Sequence, residues 1–335
     1  MATTEEGWHT LPDGTKLYTK TWKTDGPPKA VIVFVHGFSD HWAVLGNAYY
    51  DFFPELTKYA IEVRAFDQRG WGRSVTNAAS RGVTGSTAVV LEDIQSFLES
   101  VYRSLQRETA TETQVGSEPP PIFLMGHSMG GGQVLYYMLN STSFPPWIRG
   151  VLAFAPLVAL HPSVRPHKLT VFAGRLVAKL RPNHQLYKAL DPALACRDRR
   201  VCEEWKQDPL CHDTGTLGGF AGMLERTAWL DGFQHTVNGP PQKEHSQLRA
   251  LWVGHGTADL INDFEASKLL TDAVPVSDKT FKAYEGAYHK LHVEPEGVKE
   301  SLVKDIAEWV LARSDNSART TSAADAEQPK SRAKL

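Results

Sequence analysis

The sequence has little cysteine and no long hydrophobic run. Its three cysteines all lie between Cys196 and Cys211, and an odd, clustered set does not form a disulfide framework. Neither a CxxC nor an HExxH pattern occurs, so we expect buried structural thiols and no metal site. The longest apolar run, Gly150 to Leu160, has about eleven residues, whereas a membrane span needs about 20. These absences predict an intracellular, reduced protein without a transmembrane helix.

The chain also lacks an excess of charge of either sign. It carries 36 basic and 38 acidic residues among 335, a formal net charge of −2, and 41% hydrophobic residues. The near balance argues against nucleic acid as a partner, and the apolar content is that of a globular protein. The first residues, MATTEE, are polar and acidic, so we expect no signal peptide.

Short apolar runs alternate with helical patterns along most of the chain. Most of these runs are continuously apolar, which predicts an α/β protein whose mostly parallel sheet is covered by helices on both faces. Two further runs, 7–11 and 16–22, flank Pro12-Asp13-Gly14 and predict an antiparallel hairpin at the sheet edge. These predicted strands are, in chain order, 31–35, 61–66, 122–126, 151–155, 250–254 and 280–284.

One region interrupts this alternation. More than 90 residues between the fourth and fifth of these strands contain helical patterns without a strand signal, and a compact domain does not tolerate a structureless loop of that length. We therefore predict a core domain of residues 1–156 and 249–313 with a helical cap, 157–248, inserted into it. Residues 314–335 contain no aromatic side chain and are predicted to be a disordered tail.

The pentapeptide Gly126-His127-Ser128-Met129-Gly130 fits the pattern G-x-S-x-G, directly after an apolar strand and before a helical pattern. In this context the glycines permit a strained turn that exposes a serine nucleophile. The helix N-terminus leaves the Met129 N–H free and favours developing negative charge. A glycine-rich turn with an incidental serine is the alternative, and the flanking strand and helix favour the catalytic interpretation.

A serine nucleophile needs a base and an acid, which in this type of sheet follow later strands in the order acid, then histidine. Asp259 and His289 each come just after a predicted strand, so we predict that Asp259 orients His289 as the general base. Asp263, expected on the following helix, and His255, expected to support a turn, are the rival candidates. His292 is either a buried supporting histidine or a substrate contact.

The oxyanion hole needs a second N–H donor, from the loop after the strand 31–35. His36-Gly37-Phe38 follows that strand immediately. Because glycine lets the backbone approach closely, we predict that the Phe38 N–H faces the oxyanion alongside that of Met129. A tight turn at the strand end explains the same residues, and both interpretations can hold together.

These segments together resemble the α/β-hydrolase superfamily and, more closely, its monoacylglycerol lipase group, with a serine aminopeptidase S33-type hydrolase domain. The most specific matches are the cap segment 208–213 (DPLCHD) and the ending 284–295 (YEGAYHKLHVEP). The resemblance implies the α/β-hydrolase fold with a helical cap. It also implies Ser128, Asp259 and His289 as the triad, and the Phe38 and Met129 amides as the oxyanion hole.

The resemblance further implies an acyl-ester substrate, most simply a monoacylglycerol cleaved to glycerol and fatty acid without a cofactor. The family often places an acid and an arginine near the first His-Gly for the glycerol head group; here Asp40 supplies the acid and Val44 stands in place of the arginine. We predict Asp40 and His292 as substrate-binding residues. The alternatives are another carboxylesterase, a lysophospholipase, an acyl thioesterase, or a catalytically silent binding module.

Two segments of the cap carry apolar patterns. Residues 168–181 combine a stripe of apolar residues with interspersed lysines and arginines, which is typical of a helix that lies on a membrane surface. A helix that buries its stripe on the core is the alternative, and the resemblance favours transient contact with membranes or lipid droplets. Segment 215–233 is predicted to line an acyl tunnel or to form ordinary cap core.

The sequence ends Ala333-Lys334-Leu335, close to the Ser-Lys-Leu address that a peroxisomal import receptor recognises. This ending predicts a peroxisomal protein, with the cytosol or the lipid-droplet surface as the alternative.

Overall fold

The computed structural model describes residues 3–42, 51–112, 118–140, 144–233 and 250–314. The strands of its main sheet are β1 (Thr4–Thr10), β2 (Lys16–Trp22), β3 (Ala30–Val35), β4 (Ile61–Phe66), β5 (Ile122–His127), β6 (Ile148–Phe154), β9 (Ala250–Gly256) and β10 (Asp278–Tyr284). Their spatial order is β1-β2-β4-β3-β5-β6-β9-β10. β2 pairs antiparallel with β1 and β4, and the other pairs are parallel. The predicted α/β fold with an edge hairpin is confirmed.

Helices cover both faces of this sheet, which explains why its strands are continuously apolar. Along β3, Val31, Val33 and Val35 face one hydrophobic cluster, while Ile32 and Phe34 face another. The first cluster is closed by α2 (Thr87–Glu112), α3 (Met129–Asn140) and α8 (Phe264–Ala273), and the second by α1 (Phe52–Thr57) and α9 (Val298–Leu311). Because successive side chains of a strand point to opposite faces, a strand buried on both sides needs an apolar residue at every position.

The long segment between β6 and β9 packs over the carboxyl ends of the central strands. Its described helices are α4 (Lys168–Leu180), α5 (Pro192–Ala195), α6 (Arg199–Gln207) and α7 (Leu217–Phe233). It also contains a two-stranded antiparallel ladder of β7 (Gln185–Tyr187) and β8 (Thr214–Thr216), where the sequence predicts no strand. Three residues are too few to show an alternating pattern. Residues 234–249, the last part of the predicted cap, and 315–335, nearly all of the predicted tail, lie outside the described residues.

Among the described residues, no helix combines the length and the apolar character needed to cross a bilayer.

Candidate active site

Ser128 occupies a strained turn between β5 and α3. Its φ is +54°, in the left-handed region that non-glycine residues rarely adopt. Its N–H donates to the Phe154 carbonyl at 3.2 Å, and its own carbonyl accepts from Gly132 and Leu157 at 2.9 and 2.8 Å. These three bonds to neighbouring elements hold the turn, so the strain is fixed by the surrounding structure.

The glycines of the pentapeptide are required by close backbone contacts. A Cβ at Gly126 would lie 2.4 Å from the Gly130 carbonyl oxygen, and a Cβ at Gly130 would lie 2.2 Å from that of Val35. No side chain can occupy such a gap, so the start of α3 can pack against the ends of β3 and β5 only with glycine at both positions.

The structure brings the three predicted triad residues together. The His289 Nε2 lies 2.8 Å from the Ser128 Oγ, and its Nδ1 lies 2.7 Å from the Asp259 Oδ2. This geometry fits an imidazole whose Nδ1–H donates to the carboxylate while Nε2 accepts the serine proton. Asp259 follows β9 and His289 follows β10, at the same edge of the sheet as the end of β5.

The Asp259 carboxylate is enclosed by hydrogen-bond donors. Its Oδ1 accepts from the N–H groups of Ile261 and Asn262 at 2.8 and 2.9 Å. Its Oδ2 is shared by His289 and His255, whose Nε2 lies 3.1 Å away. Burial alone would raise the pKa of Asp259, but these partners hold it well below its usual range. His255, predicted to support a turn, therefore contacts the acid directly.

The rival acid has a structural position instead. The Asp263 Oδ1 accepts the Ala266 N–H at 3.1 Å and caps the N-terminus of α8. It belongs to the following helix, as the sequence predicts, and among the described residues its hydrogen bonds include none to a histidine.

The loop after β3 runs alongside the serine. A Cβ at Gly37 would lie 3.2 Å from the Ser128 Cβ, so the backbone of this loop borders the nucleophile. Gln68 fixes the loop by donating its side-chain amide to the His36 carbonyl at 2.7 Å and its backbone N–H to the His36 Nε2 at 2.9 Å. Burial lowers the pKa of His36 to about 4, so its ring is neutral, and Nδ1 donates to the Gly37 carbonyl at 2.7 Å, which leaves Nε2 to accept. Phe38 is next in this loop.

Asp40, predicted as a substrate contact, is buried in an ion pair. Its Oδ1 lies 2.8 Å from the Lys290 Nζ, and both side chains are 2–3% exposed. The Lys290 ammonium also lies 4.1 Å from the centre of the Trp205 ring, and its backbone N–H donates to the Ala195 carbonyl at 2.7 Å. Burial alone would raise the pKa of Asp40, but Lys290 and His127 hold it well below its usual range.

This pair joins three parts of the site: the loop after β3, the residue next to His289, and the cap. The predicted role of Asp40 in binding substrate stays a prediction. The resemblance implies an arginine for the glycerol head group where this chain has Val44, a residue outside the described ranges; the cation that contacts Asp40 in the structure is Lys290. Lys290 is a residue that the sequence did not single out.

His127 and His292 are packed behind the triad among aromatic rings. His127 stacks on Phe154 with ring centres 4.7 Å apart, and His292 meets the edge of His127 at 4.7 Å. Burial lowers the pKa of His127 to about 4 and that of His292 well below its usual value. His292 is 0% exposed, the position of a buried supporting histidine, so its predicted substrate contact stays a prediction.

The cap motif 208–213 ties the cap to the core. The Asp208 carboxylate lies 2.9 Å from the His41 Nε2, the Asp213 N–H donates to the Ser39 Oγ at 2.9 Å, and His212 stacks on Trp71 at 4.8 Å. Asp208 and His212 make these contacts through their side chains, and Asp213 through its backbone N–H.

One group of side chains in this seam has the composition of a metal site. His41, Asp208 and Cys211 offer ligand atoms within 4.8 Å of one another. However, the His41–Asp208 hydrogen bond already occupies two of them. Burial also raises the pKa of Cys211 well above its ordinary value, which disfavours the thiolate that a metal requires.

A mostly parallel sheet, a strained serine turn after its central strand, and an acid and a histidine after later strands define an α/β-hydrolase. The comparisons with known proteins agree. A profile of the family described as "Serine aminopeptidase, S33" matches residues 26–296. The chain therefore belongs to this family of α/β-hydrolases.

Individual relatives cover most of the chain. A putative monoglyceride lipase of Schizosaccharomyces pombe is 34% identical over 301 residues, spanning 89% of this chain and 72% of that protein. A monoacylglycerol lipase of Mycolicibacterium smegmatis is 28% identical, spanning 89% and 94%. Among solved structures, a soluble variant of Saccharomyces cerevisiae monoglyceride lipase superposes with a TM-score of 0.77 at 24% identity, over 93% of this chain and 97% of that one. At this identity the superposition supports the fold.

Proposed function

We propose that this protein hydrolyses long-chain monoacylglycerols to glycerol and free fatty acid through an acyl-enzyme on Ser128. The observation that carries the proposal is the continuous hydrogen-bonded chain Ser128–His289–Asp259, with heavy-atom distances of 2.8 and 2.7 Å, at the strained turn between β5 and α3. The relatives named as monoglyceride or monoacylglycerol lipases support the substrate class.

In the proposed mechanism, the Ser128 Oγ attacks the ester carbonyl carbon while the His289 Nε2 takes its proton. The carbonyl oxygen becomes an oxyanion, and the Phe38 and Met129 N–H groups stabilise it by about 3 kcal/mol per donor. Met129 is the first residue of α3, so its N–H has no partner within the helix and lies at the positive end of the helix dipole.

The intermediate then collapses and expels glycerol, which takes the proton from His289. A water molecule, deprotonated by the same imidazole, attacks the acyl-enzyme and releases the fatty acid. Asp259 stays ionised throughout and stabilises the imidazolium, which fits a carboxylate whose pKa is held low. The proposed reaction needs no cofactor, because each proton and each bond is handled by these side chains.

The cap helix α4 supports contact with a lipid surface. Its apolar residues face solvent: Leu169 is 71% exposed, Phe172 63% and Leu180 85%. The basic residues Arg175 and Lys179 are also exposed. A stripe of this kind is unfavourable in water and favourable in the interfacial region of a membrane or lipid droplet. The exposure argues against the alternative that α4 buries its stripe on the core.

The cellular location is a separate proposal that rests on sequence alone. If Ala333-Lys334-Leu335 form the carboxyl terminus of the mature chain, they are recognised by a peroxisomal import receptor. The protein tagged at its N-terminus should then enter peroxisomes and lose that location when the three residues are deleted. Identical cytosolic or droplet fluorescence before and after deletion would remove this proposal.

A substrate panel tests the proposed activity. Monoacyl-, diacyl- and triacylglycerols, an acyl-CoA and a lysophospholipid, presented in the same detergent, should give the highest kcat/KM with the monoacylglycerol. Equal rates on mono- and triacylglycerols, or a higher rate on the thioester or lysophospholipid, would contradict the proposal. No hydrolysis of any substrate by the folded protein would support the catalytically silent alternative.

A further inference from the structure

A small cavity lies beside the oxyanion loop, under helix α7. Phe38 and Met129 form one wall, and Phe220 and Met223 of α7 form another. Its free volume is about 20 Å³, room for about one water-sized group. It lies beside the two residues whose amides face the reacting carbonyl in the proposed mechanism, which is where the acyl chain of a bound ester would start. An acyl site is ordinarily lined by apolar groups, and these walls fit that expectation.

Two buried polar side chains also line this cavity: Gln133 of α3 and Arg226 of α7. Gln133 is four residues after Met129 and so lies on the same face of α3, one turn further from the catalytic serine. Arg226 is three residues after Met223 on the cavity face of α7. The two side chains therefore stand beyond the start of the acyl path, one on the core and one on the cap.

In the described part of the chain, the Glu225 carboxylate is linked to the buried Arg226 guanidinium through the Thr87 hydroxyl, which lies 3.4 Å from the Glu225 Oε2, and not by a direct ion pair. The side chain is 5% exposed. Within the described ranges it forms no ion pair within 4.0 Å, and its one side-chain hydrogen bond runs from Nη1 to the Thr87 Oγ1 at 3.0 Å. Burial lowers the pKa of Arg226 to about 10. A guanidinium has five N–H donors, so most of its hydrogen-bonding capacity is unused.

Gln133, by contrast, has a hydrogen-bond acceptor without a partner among the described residues. It is 2% exposed, and its Oε1 has no hydrogen-bond partner in the part of the chain that the structure describes. Buried polar atoms in folded proteins nearly always have partners. Arg226, with unused donors, and Gln133, with an unused acceptor, thus line the same cavity, beside the proposed oxyanion hole.

We propose that this cavity binds an oxygen function on the acyl chain of the substrate, a hydroxyl or a carboxylate. Such an oxygen accepts hydrogen bonds from Arg226, and a hydroxyl also donates to the Gln133 Oε1. A plain hydrocarbon chain would cover both side chains without giving either a partner, and a site built this way discriminates against a substrate that lacks the polar group. The inference rests on the proposed function and adds the acyl class to it: esters of oxygenated fatty acids are preferred over plain ones.

The test compares kcat/KM for monostearoylglycerol with that for hydroxystearoyl glycerols that differ in hydroxyl position, and for glycerol monoesters of dicarboxylic acids. The wild-type protein should prefer at least one oxygenated ester by about tenfold or more. Arg226→Met and Gln133→Leu should lose that preference, so that the ratio of kcat/KM between the oxygenated and the plain ester falls towards one. If the highest kcat/KM is with a hydroxystearoyl ester and both variants lose that preference, the bound group is a hydroxyl. If it is with a dicarboxylic ester and only Arg226→Met loses that preference, the bound group is a carboxylate.

Thr227→Val is the matched control. Thr227 follows Arg226 on the same helix, is 9% exposed, and donates its hydroxyl to the Met223 carbonyl of its own helix at 2.9 Å. This variant should keep the wild-type ratio of rates. Arg226→Met should melt no lower than the wild-type protein, because it removes a buried cation that forms no direct ion pair with a described residue.

A second measurement separates failure of this inference from failure of the proposed function. Stearic acid and hydroxystearic acids are titrated onto Ser128→Ala, with and without Arg226→Met, and the Kd values are compared. Tighter binding of a hydroxy acid that Arg226→Met abolishes supports the inference even if no monoacylglycerol is hydrolysed. The inference would be overturned if Arg226→Met changed neither the ratio of kcat/KM between oxygenated and plain esters nor the ratio of Kd between hydroxystearic and stearic acid.

Discussion

The triad pocket and helix α4 depart in opposite ways from the usual distribution of side chains: the pocket buries polar groups, and α4 exposes apolar ones. Around the serine, polar groups such as Asp259 and Lys290 are buried at 2–3% exposure and satisfied by close partners. On α4, apolar groups such as Leu169 and Leu180 are left in solvent at 71 and 85%. Each arrangement is unfavourable unless something compensates it: hydrogen bonds in the pocket, and a second surface for the helix.

The contrast separates two tasks. Chemistry at Ser128 needs groups held to within a few tenths of an ångström, and a dense network of buried hydrogen bonds provides that rigidity. Reaching a water-insoluble ester needs an apolar surface that other parts of the protein do not already cover. The cap serves both: residues 208–213 fasten it to the core, and α4 presents the exposed stripe. If the two tasks are separate, changes in the buried network should alter catalysis or stability, and changes on α4 should alter contact with lipid.

The largest effect is expected from the triad acid. Asp259→Asn removes the carboxylate that fixes the tautomer and orientation of His289, and should lower kcat by about 10³–10⁴. Asp263→Asn is the matched control, since Asp263 caps α8 without touching His289; its kcat should stay within about twofold of wild type. Similar losses of kcat in both variants would mean that the acid has been misidentified.

The next effect concerns the buried ion pair. Lys290→Met leaves the Asp40 carboxylate buried without its cation and should lower the free energy of unfolding by about 3 kcal/mol. The double variant Asp40→Asn, Lys290→Met removes both charges and should recover most of that loss. Chemical denaturation of the two single variants and the double variant measures the coupling. If the effects of the two single variants simply add, the pair does not hold the oxyanion loop to the histidine loop.

Acid should destabilise the protein through its buried histidines. Burial lowers the folded-state pKa of His36 and His127 to about 4, against an ordinary value of 6.5. The unfolded chain therefore binds protons below pH 6.5 that the folded protein does not, and stability present above pH 6.5 is lost as pH falls towards 4. Burial raises the pKa of Asp67 to about 6 and also raises the pKa values of Asp93 and Asp213, and these three carboxyls oppose the trend.

Urea unfolding at pH 7.5 and pH 4.5 measures the net effect. We expect the free energy of unfolding to fall by a few kcal/mol between the two, and His127→Gln to reduce the difference because it removes one titrating group. Equal or greater stability at pH 4.5 would show that these histidines do not titrate as buried neutral groups.

The smallest effect is expected at the cap surface. Replacing Leu169, Phe172 and Leu176 by serine should weaken binding to phospholipid vesicles by about tenfold or more, while kcat on a water-soluble short-chain ester stays unchanged. Leu269→Ser is the matched control: Leu269 of α8 is 48% exposed, close to the 50% of Leu176, but lies on the core. Vesicle binding weakened equally by Leu269→Ser, or unchanged by the triple variant, would show that α4 is not the contact surface.

The sequence predicts the sheet and the relative order of the triad because both follow from local patterns. Most central strands are continuous apolar runs, and Ser128 and Asp259 each follow such a run, whereas His289 follows the mixed edge strand β10. The pattern at 168–180 also predicts α4. It does not predict whether the apolar face packs on the core or contacts lipid, because the same spacing of apolar residues suits both.

Long-range pairings were not predictable in the same way. The partners Asp40 and Lys290 are 250 residues apart, and no local pattern marks a lysine that will be buried. The unused donors of Arg226 depend on what α7 packs against, so the sequence of that helix contains no sign of them. The short strands β7 and β8 likewise exist only through their pairing.

Labelling with a fluorophosphonate tests the central claim most directly, since this reagent bonds covalently to an activated serine. We predict that mass spectrometry of the native protein will find the phosphonyl group on the peptide containing Ser128. Ser128→Ala, shown to be folded by a melting temperature equal to that of the wild type, should remain unlabelled. Labelling of Ser128→Ala to the wild-type extent, or a native wild-type protein that is not labelled at all, would contradict the account.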